Sequence, residues 1–190
     1  PSHVPADGAL GQLYAKQGRL DAARAEFEAV AAREPRPVAA LTMLGTIQQI
    51  RGDERGARAY YERALGLEPN AAVAANNLAW LYASSGENLD AALQLAQAAT
   101  RVLPADGNVA DTVGYVYYKK DLPRLAIPAF RASVAQEPDN PIYQAHLGLA
   151  YAQAGELANA RTHLTAALRL KANFDGAEEA RSVLSSLAHR

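Results

Sequence analysis

Cysteine is absent from the 190 residues. Disulfides, thiolate nucleophiles and zinc–thiolate sites are thereby excluded, although the absence does not choose a compartment. Excess positive charge is also missing, with 19 Lys and Arg against 20 Asp and Glu and a formal net charge of −1. No surplus of cations is on hand to neutralise a phosphate backbone, so nucleic acid is not the expected partner. No run approaches the ~18 uninterrupted apolar residues of a membrane span, so no membrane insertion is expected in this segment. The four histidines, His3, His146, His163 and His189, include no pair at i, i+4 and no His-Glu-x-x-His, the spacings that let one helix face chelate a metal. No glycine-rich phosphate cradle occurs. Neither a metal, a cofactor nor an enzyme active site is expected.

What is present is enough apolar material for a core, 49% against 21% charged, and it is arranged periodically. A ladder of small residues runs Gly11, Gly45, Ala79, Gly114, Gly148, in steps of 34, 34, 35 and 34. One residue earlier stand Leu10, Leu44, Leu78, Val113, Leu147, and three residues later Tyr14, Gln48, Tyr82, Tyr117, Tyr151. A second small column is Ala23, Ala57, Ala92, Ala126, Ala160, followed four residues on by Phe27, Tyr61, Ala96, Phe130, Leu164. Pro35, Pro69, Pro104 and Pro138 close the periods, with Ala172 in the fifth place. Residues at i, i+1 and i+4 share one side of a helix, so each period opens with an apolar helical stripe. The small residues let a second helix approach closely, and the Phe27 column fills space between neighbouring pairs. Proline ends the second helix because it cannot extend the hydrogen-bond ladder. Gly18, Gly52, Gly86 and Gly155 sit at the turn inside each pair, where unusual dihedrals are needed, and Asp121 takes that place in the fourth.

These columns resemble the tetratricopeptide repeat, a helix–turn–helix unit of about 34 residues. The resemblance covers nearly the whole chain, at 4–37, 38–71, 72–106, 107–140 and 141–174. It implies an all-α fold: a right-handed helical solenoid of about five such pairs. The tail, 175–190, does not repeat. Asp175 and Glu178 have capping-box spacing, and Ala177, Ala180, Leu184 and Leu187 form an apolar stripe, so a C-terminal capping helix is expected over the last hydrophobic face. No polar cap precedes the first pair, and the chain opens Pro1-Ser2-His3 without methionine or leader. The expectation is an excerpt with further repeats or another domain upstream, and a frayed first helix near Gly8 and Gly11.

Two departures interrupt the period. The third repeat carries one extra residue around Glu87-Asn88-Leu89, expected to widen the turn. Pro128 falls two residues after Ala126, so the eighth helix is expected either to start late or to kink.

In this family the first helix of each pair lines a concave inner surface, which implies a groove for a protein or peptide segment. The positions not used for packing are Gly8, Gln12 and Ala15; Thr42, Thr46 and Gln49; Asn76, Asn77, Trp80 and Ala83; Asp111, Thr112, Tyr115, Tyr118 and Lys119; and Ala145, His146, Leu149 and Ala152. Aromatic and polar groups concentrate in the third and fourth repeats. The expected partner-binding set is Asn76, Asn77, Trp80, Asp111, Tyr115, Tyr118 and Lys119, because rigid amphipathic aromatics suit contact hot spots and Asn offers both donor and acceptor. Trp80 and Tyr115 serve equally well packed between repeats. Chaperone-binding members of the family clamp a terminal carboxylate with Lys, Arg and Asn. Asn77 matches the middle element, but Thr42, Thr46, Asn108 and Thr112 stand where flanking groups are required, so that ligand is not expected. The segments NNLAWLYA, DTVGYVYYKK and HLGLAYAQAG resemble bacterial repeat proteins. The expected function is a non-catalytic protein-binding scaffold, in a soluble cytoplasmic or envelope-associated segment. A self-assembly module forming a homo-oligomer, and a regulatory array of a larger multidomain protein, are the alternatives.

Overall fold

The computed structural model describes residues 4–188, and side chains from 9 to 187. His3 and His189 lie outside them, as does the side-chain environment of Gly8. Among the described residues there are eleven helices and no strand: α1 Val4–Lys16, α2 Leu20–Arg33, α3 Val38–Ile50, α4 Glu54–Leu67, α5 Ala72–Ser85, α6 Leu89–Val102, α7 Gly107–Lys119, α8 Pro123–Gln136, α9 Pro141–Gln153, α10 Leu157–Leu170 and α11 Ala177–Ala188. They form two compact units, Pro1–Leu81 and Tyr82–Arg190.

In the first unit α1 packs on α2, α2 on α3 and α3 on α4. Its core joins Ala23, Phe27 and Val30 to Ala40, Leu44 and Ile47. In the second, α6 through α10 pack in succession, and α11 lies against both α9 and α10. Ala126, Phe130, Leu147, Ala150, Ala160, Leu164 and Ala167 form its centre. Tyr61 and Phe130 are wholly buried, each contributing about 2 kcal/mol through area removed from water.

The small-residue ladder is a requirement of contact distance. A Cβ on Gly45 would stand 2.5 Å from Tyr61 Cε1, one on Gly114 would stand 2.6 Å from Phe130 Cδ1, and one on Gly148 would stand 2.7 Å from Leu164 Cγ. The large column therefore rests first on the glycine of its own hairpin. It also reaches the following helix, as Phe27 does in the core with Leu44 and Ile47.

Helix starts are set by short polar side chains. Asp53 Oδ1 accepts from the Gly56 N–H, Asp106 from Asn108 and Val109, and Asn140 from Ile142 and Tyr143. At the turn inside each pair the backbone is left-handed, with φ of +71° at Gly18, +78° at Gly52, +73° at Gly86 and +82° at Gly155. Asp121 adopts the same state at φ +59°, its carboxylate accepting from Gln153 Nε2 at 2.8 Å. The extra residue of the third repeat falls between Gly86 and α6, where Asn88 takes φ +48°. Asn is one of the few residues beyond glycine that visits this region routinely.

The eighth helix does not start late. It opens at Pro123, in the first turn where proline is tolerated, and continues through Pro128. Pro128 has no N–H, so the Arg124 carbonyl loses its usual donor. The tail differs from expectation in its cap. Gly176, at φ +88°, precedes a helix that begins at Ala177, one residue beyond the start that Asp175 as N-cap implies. Glu178 pairs with Arg181 at 3.3 Å. The apolar stripe is as expected: Ala177, Ala180 and Leu187 are buried, with Leu184 packed beside them.

His163 is half-buried on α10, stacked on Tyr151 with centroids 5.5 Å apart, its Nδ1 donating to Gln144 Oε1 at 2.7 Å. Burial, and then the Arg131 charge, hold its pKa below the ordinary histidine value.

Two predictions follow from this packing. Asp121→Gly relieves a left-handed non-glycine residue and raises stability, whereas Gly155→Ala introduces one and costs about 1 kcal/mol; urea denaturation midpoints check both. His163 is depressed in the folded state, so its contribution is complete above the unfolded histidine pKa, about 6.5, and is lost as pH falls through the lower folded value. Stability measured from pH 7 to pH 5 declines, and His163→Gln flattens the decline.

Candidate functional site

The polar groups of the first helices gather in two places, one in each unit. In the first unit α3 supplies Thr42, Thr46 and Gln49, α4 supplies Tyr61 and α5 supplies Asn77. The Thr42 hydroxyl donates to the Val38 carbonyl at 2.8 Å, and the Thr46 hydroxyl donates to the Thr42 carbonyl at 3.1 Å. Both bonds run back one turn along α3 and leave the hydroxyl oxygens as acceptors. The Tyr61 hydroxyl lies 2.9 Å from Gln49 Oε1 and 3.3 Å from Thr46 Oγ1. Asn77 Nδ2 donates to Tyr61 Oη at 3.3 Å and to Thr46 Oγ1 at 3.5 Å. Burial raises the Tyr61 phenol pKa, while its bonds to Thr46 and Asn77 oppose that shift. Asn77 and Trp80 are half-buried. Asn76 is only 5% exposed and lies beneath the surface on which it was expected.

In the second unit α7 carries Asp111, Tyr115 and Tyr118 at i, i+4 and i+7. Asp111 is 4% exposed, and His146 Nδ1, from α9, reaches its two carboxylate oxygens at 2.9 and 3.0 Å. A carboxylate can only accept, so Nδ1 carries the hydrogen. The His146 ring lies 5.1 Å from Tyr115 and 5.4 Å from Phe130, centroid to centroid. Tyr115 and Tyr118 are half-buried and stack at 6.3 Å. The Tyr118 hydroxyl donates to Glu179 Oε1, on α11, at 3.2 Å, and the exposed Lys119 places its Nζ 5.8 Å from the Tyr115 ring. Burial, then Glu179, pushes the Tyr118 phenol far above its ordinary pKa, and Tyr115 is raised by burial, then by Glu179, Asp175 and Asp111. On the neighbouring face Tyr143 is pushed up to about 12, by burial first and then by Asp111.

The face expected to be open is thus partly consumed. Thr42, Ala83, Ala145 and Leu149 are buried along with Asn76 and Asp111. In the second unit the reason is direct: α7 packs on α9, and α9 on α11, so first helices cover one another's flanks. Asn77, Trp80, Tyr115, Tyr118 and Lys119 retain accessible surface. Three participants escape a reading by columns. Tyr61 stands among Phe27, Ala96, Phe130 and Leu164, and its lone hydroxyl was a signal available in that column. His146 was placed on the face without a partner. Glu179 belongs to a helix read only as a cap.

Removing Asp111 leaves His146 without the group that orients it. Asp111→Ala is therefore expected to cost about 2 kcal/mol in chemical denaturation, the scale of a lost hydrogen bond to a charged group, and Asp111→Leu with His146→Leu together to cost less than the single change.

Among the described residues no group of three or more His, Cys, Asp and Glu is placed to hold a metal ion. No described helix is long and apolar enough to cross a membrane. Known proteins resemble the chain in both sequence and structure. A 71-residue stretch, 37% of this chain, is 39% identical to mouse protein O-mannosyl-transferase TMTC1, and this chain spans 8% of that protein's length. The fold is similar to that of Pseudomonas aeruginosa PilF, with a TM-score of 0.76 and 18% identity over 97% of this chain and 88% of that one. It is similar also to MamA from Desulfovibrio magneticus RS-1, with a TM-score of 0.72 and 20% identity over 90% and 96% of the two chains. At these identities the structural likeness speaks for the fold, an all-α helical repeat of the solenoid class. The sequence model of the tetratricopeptide repeat matches residues 9–53, 51–107 and 114–178, well over half of the chain, and the protein belongs to the tetratricopeptide repeat family.

Proposed function

We propose that the chain is a non-catalytic scaffold that holds a segment of another protein against the first helices of its repeats. Membership of a repeat family whose proteins bind other proteins supports this reading in general. The observation that carries it here is the Tyr115–Tyr118 pair: two stacked, half-buried rings on α7 with Lys119 beside them. Tyrosine presents a large rigid area with few rotors to immobilise and a polar end, which suits binding hot spots. In the first unit the exposed portions of Trp80 and Asn77 offer the same combination of ring and amide. Fold alone does not name a ligand, so the proposal rests on these side chains.

The test is affinity capture from lysate of the source cells. Wild type is compared with Trp80→Ala/Tyr115→Ala/Tyr118→Ala after circular dichroism shows both folded. The expected outcome is a partner retained by wild type and weakened at least about tenfold by the triple change. Equal capture moves binding to another face. A second copy of this chain as the captured species turns the reading into self-assembly, which light scattering at several concentrations then measures.

A further inference from the structure

The ring pair of the second unit already holds a cation of the chain's own. Lys119 is exposed and has no ion-pair partner among the described residues; its Nζ rests 5.8 Å from the Tyr115 centroid. A tyrosine face attracts positive charge out to about 6 Å, so the contact stands at its long limit. Beside it Tyr118 stacks at 6.3 Å with an interplanar angle of 29°, and its hydroxyl donates to Glu179 Oε1 at 3.2 Å. That bond joins α7 to α11, which both pack on α9 between them. Glu179 is exposed and has no cationic partner among the described residues, whereas Glu178 pairs with Arg181 at 3.3 Å. Asp175, four residues before Glu179, is likewise exposed and without an ion pair there. Asp111 differs, being buried with His146 on both its oxygens. All three carboxylates act on one phenol: Tyr115 is held above its ordinary pKa by burial first, then by Glu179, Asp175 and Asp111. Between them α9 contributes no Asp, Glu, Lys or Arg. The rings are thus accompanied by two uncompensated carboxylates and one loosely held lysine.

We propose that this cluster binds an arginine side chain of the partner segment, its guanidinium laid on the Tyr115 and Tyr118 rings and forked onto Glu179, with Lys119 displaced. Geometry favours arginine over lysine. A guanidinium is planar, stacks on aromatic faces and matches the two oxygens of a carboxylate, while an ammonium is a strongly hydrated point charge. A carboxylate has about four acceptor positions and the phenol uses one of them. Glu179 therefore takes the fork without releasing Tyr118. Asp175 adds attraction over a longer distance, screened less beside half-buried rings than in open water. A partner carboxylate or phosphate is disfavoured, because it would bring a like charge to Glu179 and Asp175. Lys119 occupies the place that the ligand takes, and so acts as a competitor built into the chain. This inference rests on the groove reading proposed above and adds to it the charge of the partner: a segment bearing arginine, held by the second unit.

The experiment uses the whole chain. A random 12-residue peptide display library is selected on wild type, and the tightest binder is synthesised with both ends capped. Each arginine in it is replaced in turn by citrulline, which keeps the shape and loses the charge. Affinities are measured by isothermal titration calorimetry. The selected peptides are expected to be rich in arginine, and citrulline at one position to weaken binding to wild type about tenfold, the scale of a charge-assisted pair. Glu179→Gln, a change at an exposed residue checked by circular dichroism, shrinks that difference to about twofold or less. Lys119→Gln tightens the arginine peptide about threefold and leaves the citrulline peptide as it was. If the binder lacks arginine or shows no citrulline dependence while Tyr115→Ala/Tyr118→Ala abolishes its binding, this inference falls and the groove reading stands. If citrulline costs as much in Glu179→Gln as in wild type, the cation is held elsewhere and the inference falls as well. If Lys119→Gln weakens the arginine peptide, Lys119 is a contact and its displacement is wrong. If no peptide is selected, or Tyr115→Ala/Tyr118→Ala binds as wild type does, the groove reading falls in the second unit and this inference with it.

Discussion

The contact between a glycine on one helix and a large side chain on the next is the constraint on which the remaining packing depends. At Gly45 and Gly114 an aromatic ring lies closer to the backbone than any β-carbon allows. The two helices of a hairpin can then approach until alanines such as Ala57 and Ala126 are fully buried. Close-packed interiors lose stability with each misplaced methylene, so spacing held by five columns propagates along the chain. Within each unit a hairpin leaves an apolar flank against which the next helices pack, as α2 does with α3 and α8 with α9, and the tail helix α11 covers α9 and α10. This is how a repeat that cannot bury its core alone becomes stable in an array.

The same contact decides which polar groups are available. A hydroxyl at the large position has to be satisfied where the packing places it, and Tyr61 meets Gln49, Thr46 and Asn77 there. Where the position holds Phe130, the nearby polar group is an imidazole, and His146 turns to Asp111. Two repeats of the same helix–turn–helix plan therefore present different chemistry: a neutral amide group in one unit, and a charged and aromatic cluster in the other. Function in such an array is written in substitutions at packing positions as much as in the exposed faces.

Helix number, the turn positions and the covering role of the last helix were legible from spacing alone. A period near 34 residues and the reach of a helical turn leave few alternatives. Departures were legible as positions but not as outcomes. Pro128 announced a disturbed helix, yet α8 starts at Pro123 and runs through it. Asp175 and Glu178 had capping-box spacing, yet the positive φ of Gly176 moves the helix start to Ala177.

By itself the sequence determined the fold class, the close approach of the two helices in a pair and the left-handed turns, because each depends on residues a fixed number of positions apart; that the large column rests on the glycine of its own hairpin was seen only in three dimensions. Which inner-face side chains stay accessible was decided only in three dimensions. Asn76 and Asp111 share their helical faces with Trp80 and Tyr115, and a helical wheel cannot separate them. Yet Asn76 and Asp111 are only 5% and 4% exposed, while Trp80 and Tyr115 keep accessible surface. The hydrogen-bonded group of Thr46, Gln49, Tyr61 and Asn77 belongs to the same class, since it needs side chains from three helices in place at once.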